Sequence, residues 1–201
     1  QASPIRAESD ILRVLIISDP SETLTNVSRE SEQLCEILDE VPGLQVRLLG
    51  GRNVKRIPLL AALRQSDIVH FAGHSQFNDG SPEKSGWLLH DGLLSASEIS
   101  KLDQAPLLVF SNSCHAGATK NWQGNYLYEG EAFGLGSAFL LAGVRNFIGT
   151  FCVVHDEESR FLAVEFYKRV AEGRSIGQAL LDARRATASV MGFDRLTWAS
   201  Y

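Results

Sequence analysis

Apolar runs and polar breaks alternate along the chain in a regular order. Leu12 to Ile17 is a continuous apolar run stopped by Ser18-Asp19-Pro20, the signature of a buried strand. From Asn26 to Glu40, Val27, Leu34, Ile37 and Leu38 recur at helical spacing, and Pro42-Gly43 ends the segment. Leu44 to Leu49 alternates apolar and polar residues as a strand does, with Gly50-Gly51 after it. A short helix over Ile57 to Gln65 and a strand over Ile68 to Ala72 follow. The order β-α-β-α-β predicts a parallel sheet with helices on both faces.

The second half continues the pattern after a polar interlude from Gln76 to Ser85. Trp87 to Leu94, centred on Asp91-Gly92, predicts a small β-hairpin. Ser95 or Ser97 caps a short helix ending near Leu102. Leu107 to Phe110 is another buried strand, followed by an abrupt polar turn from Ser111 to Gly117. Residues 118 to 130 predict a mobile loop, Glu131 to Gly143 a small-residue helix, and Asn146 to Cys152 a strand. Two long helices, one opening at Asp156 and one over about Ile176 to Val190, lead to a short final strand from Thr197 to Tyr201. The whole predicts a three-layer α/β/α sandwich around a mainly parallel sheet of about six strands.

Composition narrows the class. With 201 residues, 44% of them hydrophobic and 21% charged, the chain suits one soluble domain. Residues 1–10 lack any apolar pattern and read as a linker to the domain at 11–201, as in a piece cut from a longer protein. The net charge of −5 and the lack of a basic stripe argue against nucleic acid as the partner. No apolar run reaches membrane-spanning length. Three cysteines form no disulfide framework, which leads to the expectation of a reducing cytoplasm. No metal-ligand spacing, phosphate loop or dinucleotide fingerprint occurs, so no cofactor is expected.

Candidate chemistry lies where two strands end. His74 follows Ala72-Gly73, and Cys114 follows Ser111-Asn112-Ser113. If both strands are parallel in one sheet, an imidazole and a thiol emerge at its carboxyl edge, where open α/β folds place their ligands. An imidazole that takes the thiol proton generates the thiolate nucleophile and can later protonate a leaving amine. His70, inside its strand, reads as a satisfied core residue, His90 as hairpin surface, and His115 as pointing away from the thiol. Asp156, before the helix that Glu157 and Glu158 continue, reads as its N-cap.

These residues together resemble the CHAT domain, a caspase-like branch of the cysteine peptidases that include caspases, separase and gingipains. The resemblance rests on Asp67 to His74, the hairpin, Val109 to Cys114 with Gly117, Ala138 to Ile148, Thr150 to Ser159, Phe166-Tyr167, Ala179-Leu180 and Trp198-Ala199. It implies a protein-cleaving cysteine endopeptidase with His74 as general base and Cys114 as nucleophile. It also implies an oxyanion site made by the backbone N–H groups of Ser75 and Cys114. Asp156 and Asn112 would line S1 and select a basic P1 side chain. Ser75 stands where the family often has glycine, and Cys152-Val153 where it has Trp-Pro. The resemblance further implies regulatory modules such as tetratricopeptide repeats, in the same chain or a partner, and a bacterial role in antiphage defence or cell death. The rival readings are a catalytically silent peptide-binding module of the same fold and an amidase or transferase acting on a small molecule.

Overall fold

In a computed structural model, residues 11–76, 78, 81–114, 135–150 and 154–201 are described, Cys114 by its main chain. The expected linker at 1–10, the loop at 118–130, His115, Cys152 and the start of the helix expected at 131–143 lie outside them. The element order is β1 (Leu12–Ser18), α1 (Thr25–Asp39), β2 (Leu44–Gly50), α2 (Arg56–Arg64), β3 (Ile68–Gln76), β4 (Gly86–Leu89), β5 (Gly92–Ser95) and α3 (Ala96–Ile99). Then come β6 (Leu108–Cys114), α4 (135–141), β7 (Asn146–Gly149), α5 (Asp156–Ala171), α6 (Ile176–Met191) and a 3₁₀ turn, Leu196–Ala199.

Five strands pair in parallel in the order β2-β1-β3-β6-β7. The hairpin β4-β5 joins antiparallel to the end of β3. Strand alternation sends successive side chains to opposite faces and so divides the core in two. Val14, Ile16, Ile68, Leu108 and Phe110 pack with residues of α1, α5 and α6. Leu15, Ile17, Val69, Phe71 and Val109 pack with α2, α3, α4 and the hairpin. The three-layer sandwich expected from the alternation is therefore present.

The polar breaks were misleading at two strand ends. Ser111, Asn112 and Ser113 belong to β6, not to a turn, and β3 runs on through His74 and Ser75. The parallel ladder continues from Ala72↔Asn112 and Gly73↔Ser113 to His74↔Cys114, so backbone pairing outweighs the polar side chains. Those side chains find partners inside: the Trp87 indole N–H donates to Ser111 Oγ at 2.9 Å. The final strand expected at Thr197–Tyr201 is instead the 3₁₀ turn, whose Ser200 N–H bonds locally to Thr197 O. The hairpin turn is His90-Asp91, one residue earlier than expected, because Leu89 pairs with Gly92. Ser95 provides the expected cap of α3, with Glu98 completing a capping box.

Candidate active site

β1 leaves the sheet at Asp19, whose N–H still bonds to Ala72 O at 2.8 Å. Its connection runs to one side of the sheet through α1 and β2, while β3 leads to the other side through β6. The crevice between the ends of β1 and β3 is thus the topological switch point of the sheet. Gly73 lies at this point because a Cβ there would come within 3.0 Å of both Phe71 and Pro20. His74 follows, half-buried, and its register partner on β6 is Cys114. The structure therefore brings the expected histidine and cysteine to adjacent positions of neighbouring parallel strands.

The His74 ring is held from one side. Its Nε2 lies 2.9 Å from Thr23 Oγ1. Its Nδ1 is buried without a hydrogen-bond partner among the described residues. Thr23 Oγ1 is 2.8 Å from Ser21 Oγ, and Ser21 Oγ donates to Asp19 Oδ1 at 2.7 Å. Asp19 is buried, and its φ of 34° lies in the left-handed region, which Asp tolerates better than most residues. The β1–α1 connection, which carried no role in the sequence reading, thus contributes three residues to the surroundings of His74. The signal was a run of Asp, Ser and Thr directly after a parallel strand.

Asn112 is buried in β6 with its amide fully engaged. Its Nδ2 donates to both carboxylate oxygens of Glu30, at 2.8 and 3.1 Å, and its Oδ1 accepts from the Tyr201 hydroxyl at 2.6 Å. Glu30 also lies 2.8 Å from Nε2 of His70, which is fully buried. His70 is the core histidine that the sequence suggested, although its Nδ1 has no partner among the described residues. The neighbouring Tyr167 phenol is pushed well up from its ordinary range by burial, with the Glu30 carboxylate adding to the effect. Glu30 was missed because it lies in an exposed-looking charged helix. Yet it falls on the inward stripe of α1 with Val27 and Leu34, and a carboxylate on an apolar stripe signals a buried polar network.

Asp156 is the first residue of α5, and His155 occupies the cap position without a side-chain cap. The capping reading of Asp156 is therefore corrected: the chain enters the helix one residue earlier. Asp156 and Asn112 line one small cavity of about 20 Å³ with Glu30, Gly73, Leu24, Val27 and Ser159. Two acidic residues and an asparagine thus line a cavity that also borders Gly73, the neighbour of His74. Ser75, the other expected oxyanion residue, is buried in β3 opposite Trp87 and has no positive φ, so serine costs nothing where the family often has glycine. His90 and His155 are exposed. Among the described residues, no group of three or more His, Cys, Asp or Glu side chains could hold a metal ion, and no helix is long and apolar enough to cross a membrane.

The family model of the CHAT domain matches residues 1–201. The chain belongs to the CHAT domain family. Among solved structures, it is similar to the Arg-specific cysteine proteinase gingipain R, with a TM-score of 0.62 at 12% identity. That match takes in 90% of this CHAT domain and 42% of the gingipain chain. No curated protein sequence matches. The fold is the one seen in that cysteine proteinase, and His74 and Cys114 of this CHAT domain are a register pair on adjacent parallel strands.

Proposed function

We propose that this CHAT domain is a cysteine endopeptidase in which Cys114 attacks the scissile carbonyl and His74 takes its proton. The observation that carries the reading is the pairing of these two residues at the carboxyl ends of adjacent parallel strands. The tetrahedral oxyanion would be held by the backbone N–H groups of Ser75 and Cys114. Such a donor is worth roughly 3 kcal/mol when its loss is measured. The imidazolium then protonates the leaving amine, and water releases the acyl enzyme.

Asp156 and Asn112 support a basic P1 preference, since a carboxylate at the wall of a cleft stabilises a cation that enters it. The gingipain that shares the fold is itself described as Arg-specific. The cavity has about the volume of one water, so an Arg or Lys side chain enters only by parting its walls. Family resemblance extends the proposal to a cytoplasmic effector domain of a larger regulated bacterial protein, with tetratricopeptide-type modules as regulators and a defence or cell-death role.

Active-site labelling tests the core of this reading. A peptide chloromethylketone with P1 Arg should modify Cys114 in the wild type and fail to do so in His74→Ala. Cys35 offers little competition. Burial, reinforced by Asp39, Glu32 and Glu36, raises its thiol pKa and keeps it protonated. Cleavage of a peptide library, mapped by mass spectrometry against Cys114→Ala, should give sites after Arg or Lys that fade in Asp156→Ala. Binding of peptides with no cleavage and no labelling would identify the silent module instead. Cleavage after Asp or apolar residues, unchanged by Asp156→Ala, would remove the basic S1.

A further inference from the structure

The contacts around His74 carry more than its position, because the hydroxyls between it and Asp19 can be counted proton by proton. A hydroxyl has one hydrogen to donate, and an ionised carboxylate only accepts. Ser21 spends its hydrogen on Asp19 Oδ1, at 2.7 Å. The 2.8 Å contact between Ser21 and Thr23 must then be made with the hydrogen of Thr23. Thr23 has none left for His74, so across the 2.9 Å contact its Oγ1 accepts and His74 Nε2 donates.

We propose that Asp19, acting through Ser21 and Thr23, holds His74 as its Nε2–H tautomer and so makes Nδ1 the proton-accepting atom. The proposal rests on the peptidase reading given above and assigns Asp19, Ser21 and Thr23 as positioning residues. Nδ1 is the ring nitrogen that is buried without a partner among the described residues, and Cys114 is the register partner of its backbone. In the step, the S–H bond of Cys114 breaks and an Nδ1–H bond forms, giving thiolate and imidazolium with no change in net charge. The new cation then keeps its Nε2–H on Thr23, and every dipole of the relay already points its positive end toward Asp19.

Asp19 is itself fixed, which gives the relay its direction. Its second oxygen, Oδ2, accepts the Leu24 N–H at 2.7 Å, and its own N–H is tied to β3 at Ala72. An asparagine at this position must keep an acceptor for Leu24. Its oxygen then takes the Oδ2 place, and its NH₂ faces Ser21. Ser21 now accepts from Asn, donates to Thr23, and Thr23 donates to Nε2. The polarity of the whole chain reverses, and His74 becomes the Nδ1–H tautomer, with its free lone pair on the wrong side.

The test is 15N and 13C NMR of protein carrying labelled histidine, with His74 assigned against His74→Gln among the five histidines. Wild type should show the Nε2–H pattern for His74, and Asp19→Asn the Nδ1–H pattern. With a cleavable peptide, Asp19→Asn should lose about 100-fold in kcat with little change in KM, the scale of a general base lost to the wrong tautomer. Thr23 is exposed, so folding is not at stake there. Thr23→Val should mix the two tautomers and slow cleavage, and Thr23→Ser should restore much of both. Wild-type His74 as the Nδ1–H tautomer, or Asp19→Asn that keeps Nε2–H and full rate, would overturn the relay. The tautomer is read without substrate, so a chain that cuts no peptide can still show the relay. A chain that cuts peptides as the Nδ1–H tautomer keeps the peptidase reading and loses the relay.

Discussion

Glu30 concentrates the cost of building this site into one side chain. It is 2% exposed, and it accepts two bonds from Asn112 and one contact from His70. A buried donor left without its acceptor costs roughly 1–3 kcal/mol, and two would be left here. Glu30→Ala should therefore lower stability by about 3 kcal/mol or more, read as a shift of the urea midpoint at unchanged slope. Glu30→Gln, which keeps one acceptor oxygen, should lose less than half as much. The tyrosine at position 201 matters for the same reason, since its hydroxyl fixes which way the Asn112 amide faces.

At the scale of elements, β3 is the strand on which the site depends. Its first seven residues pair in parallel with β6, and its last two, Ser75 and Gln76, pair antiparallel with β4. The hairpin therefore fixes the residue that follows His74. It closes tightly: a Cβ at Gly86 would stand 2.0 Å from Leu94 O, a backbone atom that cannot step aside. Gly86→Ala should cost about 3 kcal/mol, the upper end of overpacking, and slow cleavage together with the loss of stability. Much of this layer was legible in the chain, since the apolar runs of β1, β3 and β6 and the stripes of α1 and α5 follow burial on two faces. The strand ends were not. Ser, Asn and Ser after Phe110 look like a turn because local polarity says nothing about partners such as Glu30 and Trp87, which are distant in sequence. The proposed dyad is legible because His74 and Cys114 each come after an apolar run, whereas the Asp19 relay requires knowing that β1 and β3 are neighbours.

For the molecule as a whole, the C-terminal segment crosses three elements and ties them together. Glu158 of α5 is 1% exposed and accepts from Arg195 Nη1 at 2.7 Å and from the Thr197 hydroxyl. Arg184 of α6 donates to Trp198 O at 2.8 Å, and Tyr201 reaches β6. Burial alone would raise the Glu158 pKa, but the bonds from Arg195 and Thr197 outweigh it and hold the carboxyl below its ordinary range. Its folded pKa therefore lies below its unfolded one. The stability this supplies is complete above the unfolded value, about 4.3, and is lost as the pH falls through the lower folded value. Glu158→Gln should thus be about 1–2 kcal/mol less stable than wild type at pH 7. Thermal melts should show that gap closing between about pH 5 and pH 3. A gap that stays constant over this range would assign the effect to packing alone.

Trp87 stacks on Phe71 with ring centroids 4.3 Å apart, three residues before His74, while its indole N–H holds Ser111, three before Cys114. One fluorophore therefore touches both strands that carry His74 and Cys114. With Trp122 and Trp198 replaced by phenylalanine, its emission is an intrinsic optical gauge of their alignment, readable without any added dye.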